Sequence, residues 1–374
     1  MPRRIIGCVQ KTVEQKNNAA KKPINSWFNA AFFFAVLPLL PVRLIKKSAN
    51  KCAKRGISVC GRFKIGGVNQ YISIEGENRG APLVVFLHGG PALPMRGTDD
   101  RFYSLARKKF VCVKWDQRGS GRSEGADEDI ETLLRDLDEV VSLALSVSGR
   151  KKAWIVGHCW GSVLGLKYAT RHSEKVEGYV GVCQFVSGRR SYSEIRKIAL
   201  EAAAKRGNFE DAVQIKHKFE GLLNSGCVRK TDISDWTGLH ALYEKYRGYK
   251  GGKSKFSLIA DALCSPDFTA EDLYSLISWA NVEKSMPRHE KINDECIFKT
   301  DFLASPPSVS VPVTFIEAGS DAVTDSGTAL TLLAAMNAPS KDVRLIKNSG
   351  HNVMLDAPVR LAEELESVVS LGKR

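Results

Sequence analysis

A cysteine flanked by glycines, at the junction of a predicted strand and a predicted helix, constrains this chain more than any other feature. The apolar run at 153–156 leads into Gly157-His158-Cys159-Trp160-Gly161, and helical spacing follows to about residue 172. So tight a turn exposes its central side chain in a strained conformation, and the glycines are needed because strand and helix approach too closely for a Cβ. The N terminus of the helix favours the thiolate, which is the nucleophilic form of cysteine. The pattern therefore predicts a reactive Cys159, and the alternative is an inert residue in a decayed turn.

Around this turn, apolar runs that end in glycine or polar residues alternate with segments of helical spacing. The predicted strands are a hairpin at 62–78 and runs at 82–90, 110–116, 153–157, 176–182, 312–319 and 343–350. The predicted helices lie at 129–148, at 158–172 and at 358–371. Such alternation predicts an α/β fold with a mainly parallel sheet that helices cover on both faces.

The stretch from 190 to 308 departs from the alternation. It has helical periodicity and clusters of aromatic residues between two predicted strands. We interpret it as a helical cap inserted into the core domain. The predicted organisation is thus an N-terminal extension at 1–61, a core at 62–189 and 309–374, and a cap at 190–308.

Two later strands each end at a residue that suits nucleophilic catalysis. Asp321 follows the strand at 312–319, and His351 follows the strand at 343–350. The carboxyl ends of parallel strands meet at one edge of a sheet, where ligands bind. Cys159, Asp321 and His351 are therefore the predicted nucleophile, acid and base, in the chain order that a strand–turn–helix nucleophile requires. Asp325 competes with Asp321 for the acid position, and the adjacent His158 is not the predicted base.

The end of the strand at 82–90 carries His88-Gly89-Gly90-Pro91. Glycines there allow a backbone N–H to approach a developing oxyanion, and Gly90 and Trp160 are the predicted donors. The predicted supports of this loop are His88, Gly89 and, from the polar turn after the next strand, Asp116 and Arg118.

Together these residues resemble the proline iminopeptidase-like branch of the α/β-hydrolases. That family carries H-G-G-P-G, W-D-Q-R-G-x-G-x-S and G-x-S-W-G-S in this order, and this sequence has HGGPA, WDQRGSGRS and GHCWGS at matching positions. The resemblance covers about residues 62–370 and implies the α/β-hydrolase fold with a helical cap. Members of the family hydrolyse N-terminal proline peptides, esters, amides or lactones, and the fold does not determine which.

Two departures from the family pattern bear on the chemistry. Ala92 replaces the last glycine of H-G-G-P-G, and Cys159 replaces serine. A thiolate leaves a tetrahedral intermediate more readily than an amine does, so cysteine suits esters, thioesters and lactones better than amides. Proline iminopeptidases also hold the substrate amine with cap carboxylates. The acids available in this cap are Glu201, Glu210, Glu220, Glu244 and Glu271.

The sequence therefore predicts a hydrolase of small esters, thioesters or lactones that works through an acyl-enzyme and needs no cofactor and no metal. The alternatives are a proline iminopeptidase-like aminopeptidase, an acyltransferase, and a non-catalytic protein that binds a small ligand in the same pocket.

The net charge of +14 is concentrated at the N terminus, since residues 1–64 hold 14 Lys and Arg against the single acid Glu14. Nucleic-acid-binding domains carry basic residues on a folded face instead, so no nucleic-acid partner is expected. Residues 27–42 carry no charge, but they fall short of the roughly 20 residues that span a bilayer. A membrane anchor, a signal or transit peptide and an amphipathic surface element all fit residues 27–45. The nine cysteines, odd in number and without C-x-x-C, favour an intracellular reducing compartment.

Overall fold

The computed structural model describes residues 26–49, 56–94, 96–126, 128–224, 245, 255–280, 289–321 and 323–371. Eight strands form one sheet in the order β1-β2-β4-β3-β5-β6-β7-β8. The strands are β1 (Ile57–Ile65), β2 (Val68–Gly76), β3 (Leu83–Leu87), β4 (Val111–Trp115), β5 (Ala153–Cys159), β6 (Val176–Gln184), β7 (Val313–Ala318) and β8 (Lys341–Ile346). β2 runs antiparallel to β1 and β4, and all other neighbours are parallel, which confirms the predicted mainly parallel sheet.

The helices of the described chain lie before, between and after the strands. They are α1 (Ser26–Val36), α2 (Leu40–Ala49), α3 (Asp100–Lys109), α4 (Ile130–Ser148), α5 (Trp160–Arg171), α6 (Gly188–Lys205), α7 (Phe209–Asn224), α8 (Lys255–Leu263), α9 (Ala270–Ala280), α10 (Glu290–Asp294), α11 (Ser326–Ala335), α12 (Val353–Asp356) and α13 (Pro358–Leu371). The sequence predictions did not include α3 and α11. The first strand begins at Ile57, earlier than the predicted core boundary at 62.

Alternate residues of the central strands face opposite sides of the sheet, which makes two hydrophobic cores. In β3, Leu83, Val85 and Leu87 join the core formed with α4, α5 and α11. Val84 and Phe86 join the second core, formed with α3 and α13. Both faces of β3 are buried because helices cover each side, and this explains why the strand reads as an unbroken apolar run.

Two helical regions accompany the sheet. Helices α6 to α10 lie in the chain between β6 and β7, where the sequence predicts helices. At the N terminus, α1 and α2 are joined by a single 3₁₀ turn at Leu37–Leu39 that contains Pro38. The segment Trp27–Lys47 has 21 residues, and its most apolar stretch of 18 residues has a mean hydropathy of 1.9, so it is long and apolar enough to cross a membrane by length and composition.

Candidate active site

Cys159 ends β5 and directly precedes α5. Its backbone φ is 52°, a value that residues other than glycine rarely adopt. The glycines on either side allow this turn to form. A Cβ on Gly157 would collide with the carbonyl of Gly161, and a Cβ on Gly161 would collide with the carbonyl of Leu87 at the end of β3. The turn is thus held between two strands and a helix, as the sequence pattern predicts.

Ser162, in the first turn of α5, secures the position of the cysteine backbone. Its hydroxyl donates to the carbonyl oxygen of Cys159 at 2.6 Å and accepts from the N–H of Phe185 at 2.8 Å. The Tyr179 hydroxyl of β6 donates to the Ser162 carbonyl at 2.9 Å. These buried bonds fix the turn to β6, so that the cysteine is positioned by rigid elements.

His351 and Asp321 lie side by side after β8 and β7. Nδ1 of His351 lies 2.8 Å from Oδ2 of Asp321. The aspartate is also held by Thr324, whose hydroxyl donates to Oδ2 at 2.6 Å, and by the N–H groups of Val323 and Thr324, which donate to Oδ1 at 2.8 and 3.1 Å. A carboxylate with this many donors has a fixed orientation, and it fixes the His351 ring with its other nitrogen free of Asp321.

Electrostatics within this group favour charge on both partners. Burial alone would raise the pKa of Asp321, but the His351 ring and the hydrogen bonds from His351 and Thr324 lower that pKa instead. Burial alone would lower the pKa of His351, but the Asp321 charge, followed by the charge and hydrogen bond of Cys159, raises that pKa well above its ordinary value. Asp321, which is bonded to His351, and Cys159 therefore both favour the charged form of His351.

Asp325, the alternative acid, is engaged elsewhere. It precedes α11 as its N-cap, and its Oδ2 accepts from the N–H and the hydroxyl of Thr328 at 2.7 and 2.8 Å. An N-cap carboxylate satisfies the free N–H groups of the first helical turn. Of the two aspartates, Asp321 is the one bonded to His351.

Two side chains absent from the sequence predictions as partners of His351 hold its backbone. Nε2 of His158 lies 2.8 Å from the His351 carbonyl oxygen, and the Cys183 thiol donates to the same oxygen at 3.5 Å. Burial, followed by the charge of His351, lowers the pKa of His158 to about 4, so this ring is neutral and donates through Nε2. His158 therefore holds the loop of His351 in position.

The same three residues form a potential metal-ligand group. The side-chain ligand atoms of His158, Cys183 and His351 lie within 4.8 Å of one another. However, Nε2 of His158 and the thiol of Cys183 are bonded to a carbonyl, and Nδ1 of His351 is bonded to Asp321. These bonds hold the histidine loop in place, and ionisation of the Cys183 thiol to bind an ion would break its bond to the carbonyl.

A third buried thiol approaches from the helical region between β6 and β7. Cys296 lies in a π-helical turn at Glu295–Lys299, directly after α10. Burial and then the charge of Cys159 raise its pKa well above the ordinary value. Cys296 also belongs to the same hydrophobic core as Trp160, the residue after Cys159.

The loop after β3 lies against the cysteine turn. A Cβ on Gly89 would stand 3.1 Å from the Cβ of Cys159, so glycine permits the close approach. Gly90 has a φ of 121° and Ala92 a φ of 62°. Ala92 thus has a backbone conformation that glycine adopts more easily, at the position where the family motif H-G-G-P-G has its last glycine. The predicted donor groups of Gly90 and Trp160 belong to this loop and to the first residue of α5.

His88 and Gln117 are hydrogen-bonded to each other and hold the loop after β3 in position. The N–H of Gln117 donates to Nε2 of His88 at 3.2 Å, and its side-chain amide donates to the His88 carbonyl at 3.1 Å. Gln117 Oε1 also accepts from the indole N–H of Trp160 at 3.1 Å. Burial lowers the pKa of His88 to about 4, so the ring acts as a neutral support. Gln117 thus connects the two predicted donor segments, a role the sequence analysis missed although the residue stands inside WDQRG.

Asp116 and Arg118 differ in what they support. Asp116 accepts from Nε of Arg96 at 2.5 Å and from the N–H of Arg122 at 3.0 Å, so it braces the chain that continues from the glycine loop. Arg118 instead forms two 2.7 Å bonds to Asp136 of α4 and donates to the carbonyl of Gly66 at 2.9 Å. The predicted support of the loop by Arg118 is therefore not direct. Its long side chain turns away, toward a buried carboxylate.

Of the five acids that the sequence offers for holding a substrate amine, four lie in the described part of the chain. Glu201, Glu210 and Glu220 are exposed. Glu271 pairs with Arg62 at 2.9 Å. Glu244 lies outside the described residues.

Comparison with known proteins assigns this geometry to a family, since residues 82–358 match the alpha/beta hydrolase fold. The chain belongs to the α/β-hydrolase fold family. It is 24% identical over 325 residues to the probable aminopeptidase YbaC of Bacillus subtilis, a match covering 83% of this chain and 96% of that protein. It is also 30% identical over 132 residues to the proline iminopeptidase of Thermoplasma volcanium, a match covering 34% of this chain and 43% of that protein.

Solved structures agree on the fold of this α/β-hydrolase family member. The crystal structure of VinJ superimposes with a TM-score of 0.59 at 16% identity, covering 83% of this chain and 98% of that one. A membrane phospholipase A superimposes with a TM-score of 0.57 at 14% identity, with full coverage of both chains. Identities this low establish a shared architecture and say nothing about substrate.

Proposed function

We propose that this α/β-hydrolase is a cysteine-dependent hydrolase of small esters, thioesters or lactones. The observation that carries the proposal is the position of His351, which is bonded to Asp321 and interacts with Cys159, itself held at positive φ at the start of α5. Covalent catalysis needs a nucleophile beside a base that an acid orients, and this position of His351 supports that arrangement.

In the first step, His351 takes the thiol proton of Cys159, and the sulfur attacks the acyl carbon. A C–S bond forms and the carbonyl oxygen becomes an oxyanion, to which the N–H groups of Gly90 and Trp160 donate. Trp160 is the first residue of α5, where N–H groups have no helical partner. The intermediate collapses when the C–O bond to the leaving group breaks, and the alcohol leaves with the proton from His351.

In the second step, His351 removes a proton from water, which attacks the thioester carbon. The C–S bond breaks, the acid product leaves, and the proton returns from His351 to Cys159. Asp321 keeps its charge throughout and stabilises the imidazolium that forms twice in the cycle.

Esters are favoured over amides for two reasons. In the tetrahedral intermediate a thiolate leaves in preference to an amine, so an amide substrate returns to reactant. In addition, three of the five acids considered for holding a substrate amine are exposed, and Glu271 is paired with Arg62. The aminopeptidase and proline iminopeptidase names of the two relatives keep an aminopeptidase as the second candidate.

Residues 190–308 form the proposed cap over this site, and residues 62–189 with 309–374 form the proposed core. Arg62 pairs with Glu271, and Arg122 forms a bidentate pair with Asp272, both acids in the first turn of α9. Because the Arg122–Asp272 pair is buried, removal of one partner would strand a charge. These pairs fix one side of the cap to the core.

Residues 27–45 are the proposed site of membrane association. The support is their length, their apolar composition and the basic residues on both sides.

The deciding experiment is the intact mass of the full-length protein after brief exposure to p-nitrophenyl acetate. We expect one acetyl adduct, mapped to the Cys159 peptide, with release of nitrophenol. Cys159→Ala should show none, while the matched control Cys60→Ala, which removes an exposed thiol on β1, should react like the wild type. Absence of an adduct together with absence of nitrophenol release would contradict the proposal.

Two follow-up measurements separate the alternatives. Product analysis with an added acceptor alcohol distinguishes hydrolysis from acyl transfer, because a transferase would form the new ester in preference to the acid. A rise in thermal midpoint with a ligand that is never turned over would instead favour a non-catalytic binding protein.

A further inference from the structure

The N-terminal helical segment, α1 and α2 with the turn between them, has two faces of different environment. Within 27–47, six residues are partly or fully shielded from solvent, and they recur every three or four positions. They are Phe28, Phe32, Val36, Leu39, Arg43 and Lys46. This spacing is that of one helical face, so the segment lies along the protein and is not detached from it.

The shielded face is bound to the loop and helix that follow α8. The ring of Phe28 meets Tyr274 edge to face at 5.8 Å, and Phe32 lies 6.2 Å from Phe268. The Arg43 guanidinium donates to the carbonyl oxygens of Leu263 at 2.7 Å, of Phe268 at 2.9 Å and of Pro266 at 3.3 Å. Leu263 ends α8, where carbonyls lack helical partners and favour a cation.

The opposite face is apolar and exposed. Eight large hydrophobic residues point outward: Trp27, Phe33, Phe34, Leu37, Leu40, Val42, Leu44 and Ile45. Trp27 is 82% exposed and Ile45 70%. A helix on the surface of a water-soluble protein turns a polar face outward. This arrangement therefore indicates that the outer face contacts an apolar partner, such as a membrane or another protein. On α9, which packs against α1, Tyr274 and Ile277 are exposed as well and add to the patch.

A lipid surface matches this patch better than a protein partner does. The patch lacks charged residues from Trp27 to Val42, whereas protein interfaces have a polar rim. Basic residues flank it on both sides in the sequence, within an N-terminal stretch that carries 14 Lys and Arg against one acid over 64 residues. An aromatic and aliphatic face bordered by basic residues is the pattern of elements that lie in the interface of an anionic bilayer.

Building on the proposed membrane association, we propose that α1 and α2 lie along the surface of an anionic membrane and do not cross it. A spanning arrangement would pull Arg43 from its three carbonyl acceptors and place it near the hydrocarbon, which is costly. Phe28 and Phe32 would also leave their aromatic partners. A segment lying flat keeps all these contacts, inserts only its outer face, and holds the proposed cap next to the lipid.

Vesicle flotation of the full-length protein tests the surface. We expect binding to phosphatidylcholine vesicles that contain phosphatidylglycerol, weaker binding without it, and further weakening with salt. The double variant F33S/F34S should reduce the partition coefficient by about tenfold or more. The matched control V343S/L345S removes two exposed apolar side chains of β8 and should bind like the wild type. Equal binding by F33S/F34S, or an oligomer that this variant dissociates without lipid, would overturn the proposal.

The native thiols Cys8 and Cys52, on either side of the segment in the sequence, distinguish lying from spanning. In vesicle-bound protein treated with a membrane-impermeant maleimide, peptide mapping should show both thiols labelled. Protection of Cys8 until detergent is added would overturn the surface orientation while leaving membrane association intact. Failure of the wild type to float would overturn both, and neither result would affect acylation of Cys159.

Discussion

The carboxyl edge of the sheet and the N-terminal helical segment use their side chains in opposite ways. At the edge of the sheet, both side-chain oxygens of Asp321 have partners and Cys159 is buried. Along the segment, large apolar side chains face outward and are exposed. The first region is defined by a few residues at fixed positions, and the second by a pattern spread over 20 or so residues. Single substitutions should therefore abolish function in the first and only weaken it in the second.

Cys159→Ala would separate the two regions most strongly. Loss of the nucleophile should lower turnover of an activated ester on the order of 10⁴-fold or more. Vesicle binding should stay unchanged and the thermal midpoint should change little, since Cys159 belongs to neither hydrophobic core. Turnover that persists in this variant would remove Cys159 from the mechanism.

Replacement of each of the two neighbouring aspartates by asparagine would show which of them acts with His351 at the edge of the sheet. Asp321→Asn should reduce kcat by about 10²- to 10⁴-fold, because an amide cannot stabilise the imidazolium. Asp325→Asn is the matched control, since asparagine caps a helix as well as aspartate does, and should retain activity and stability. Steady-state kinetics of both variants decide the assignment, and a reversed pattern would make Asp325 the acid.

The pair of Asp321 and His351 also predicts how stability depends on pH. The pKa of His351 in the folded protein is raised above 6.5. Its contribution to the free energy of unfolding is therefore complete below about pH 6.5 and is lost as the pH rises through the pKa of the folded state. The pKa of Asp321 in the folded protein is lowered below 3.8. Its contribution to the free energy of unfolding is therefore present above pH 3.8 and is lost as the pH falls through the pKa of the folded state.

His351→Gln should therefore destabilise the protein most between about pH 4 and 6.5, by about 2 kcal/mol. Urea unfolding at several pH values measures the difference from the wild type. A difference that grows toward alkaline pH would contradict the sign of the His351 shift.

A smaller effect is expected at Glu317 of β7, which is buried. Its Oε1 accepts from the Gln184 N–H at 3.1 Å, and Oε2 has no partner among the described residues. Burial raises its pKa from 4.5 to about 8, so the folded state holds a proton that the unfolded state releases, and stability falls across this range. Glu317→Gln should remove that loss and stabilise the fold by about 1 kcal/mol at pH 8, with little gain near pH 4.5. Thermal unfolding at the two pH values checks this.

The sequence predicted the sheet and the nucleophile turn because both depend on local patterns. Apolar runs of β3 to β7 and the glycines around Cys159 are visible in short windows. The contributions of Cys183 and Thr324 were not predicted, because a thiol in an apolar run and a threonine in a loop carry no local signal of their partners. The contact between Arg43 and Phe268 joins residues 225 positions apart, and only the folded chain reveals it.

The cysteine turn has a consequence for how such a site changes over time. Its shape is set by Gly157 and Gly161, which fit against backbone carbonyls, and not by the atom at the tip of residue 159. The turn therefore accommodates either cysteine or serine at position 159, and a single base change in the codon converts one into the other. Neither glycine tolerates replacement. A lineage could pass between thiol and hydroxyl chemistry without passing through an unfolded intermediate.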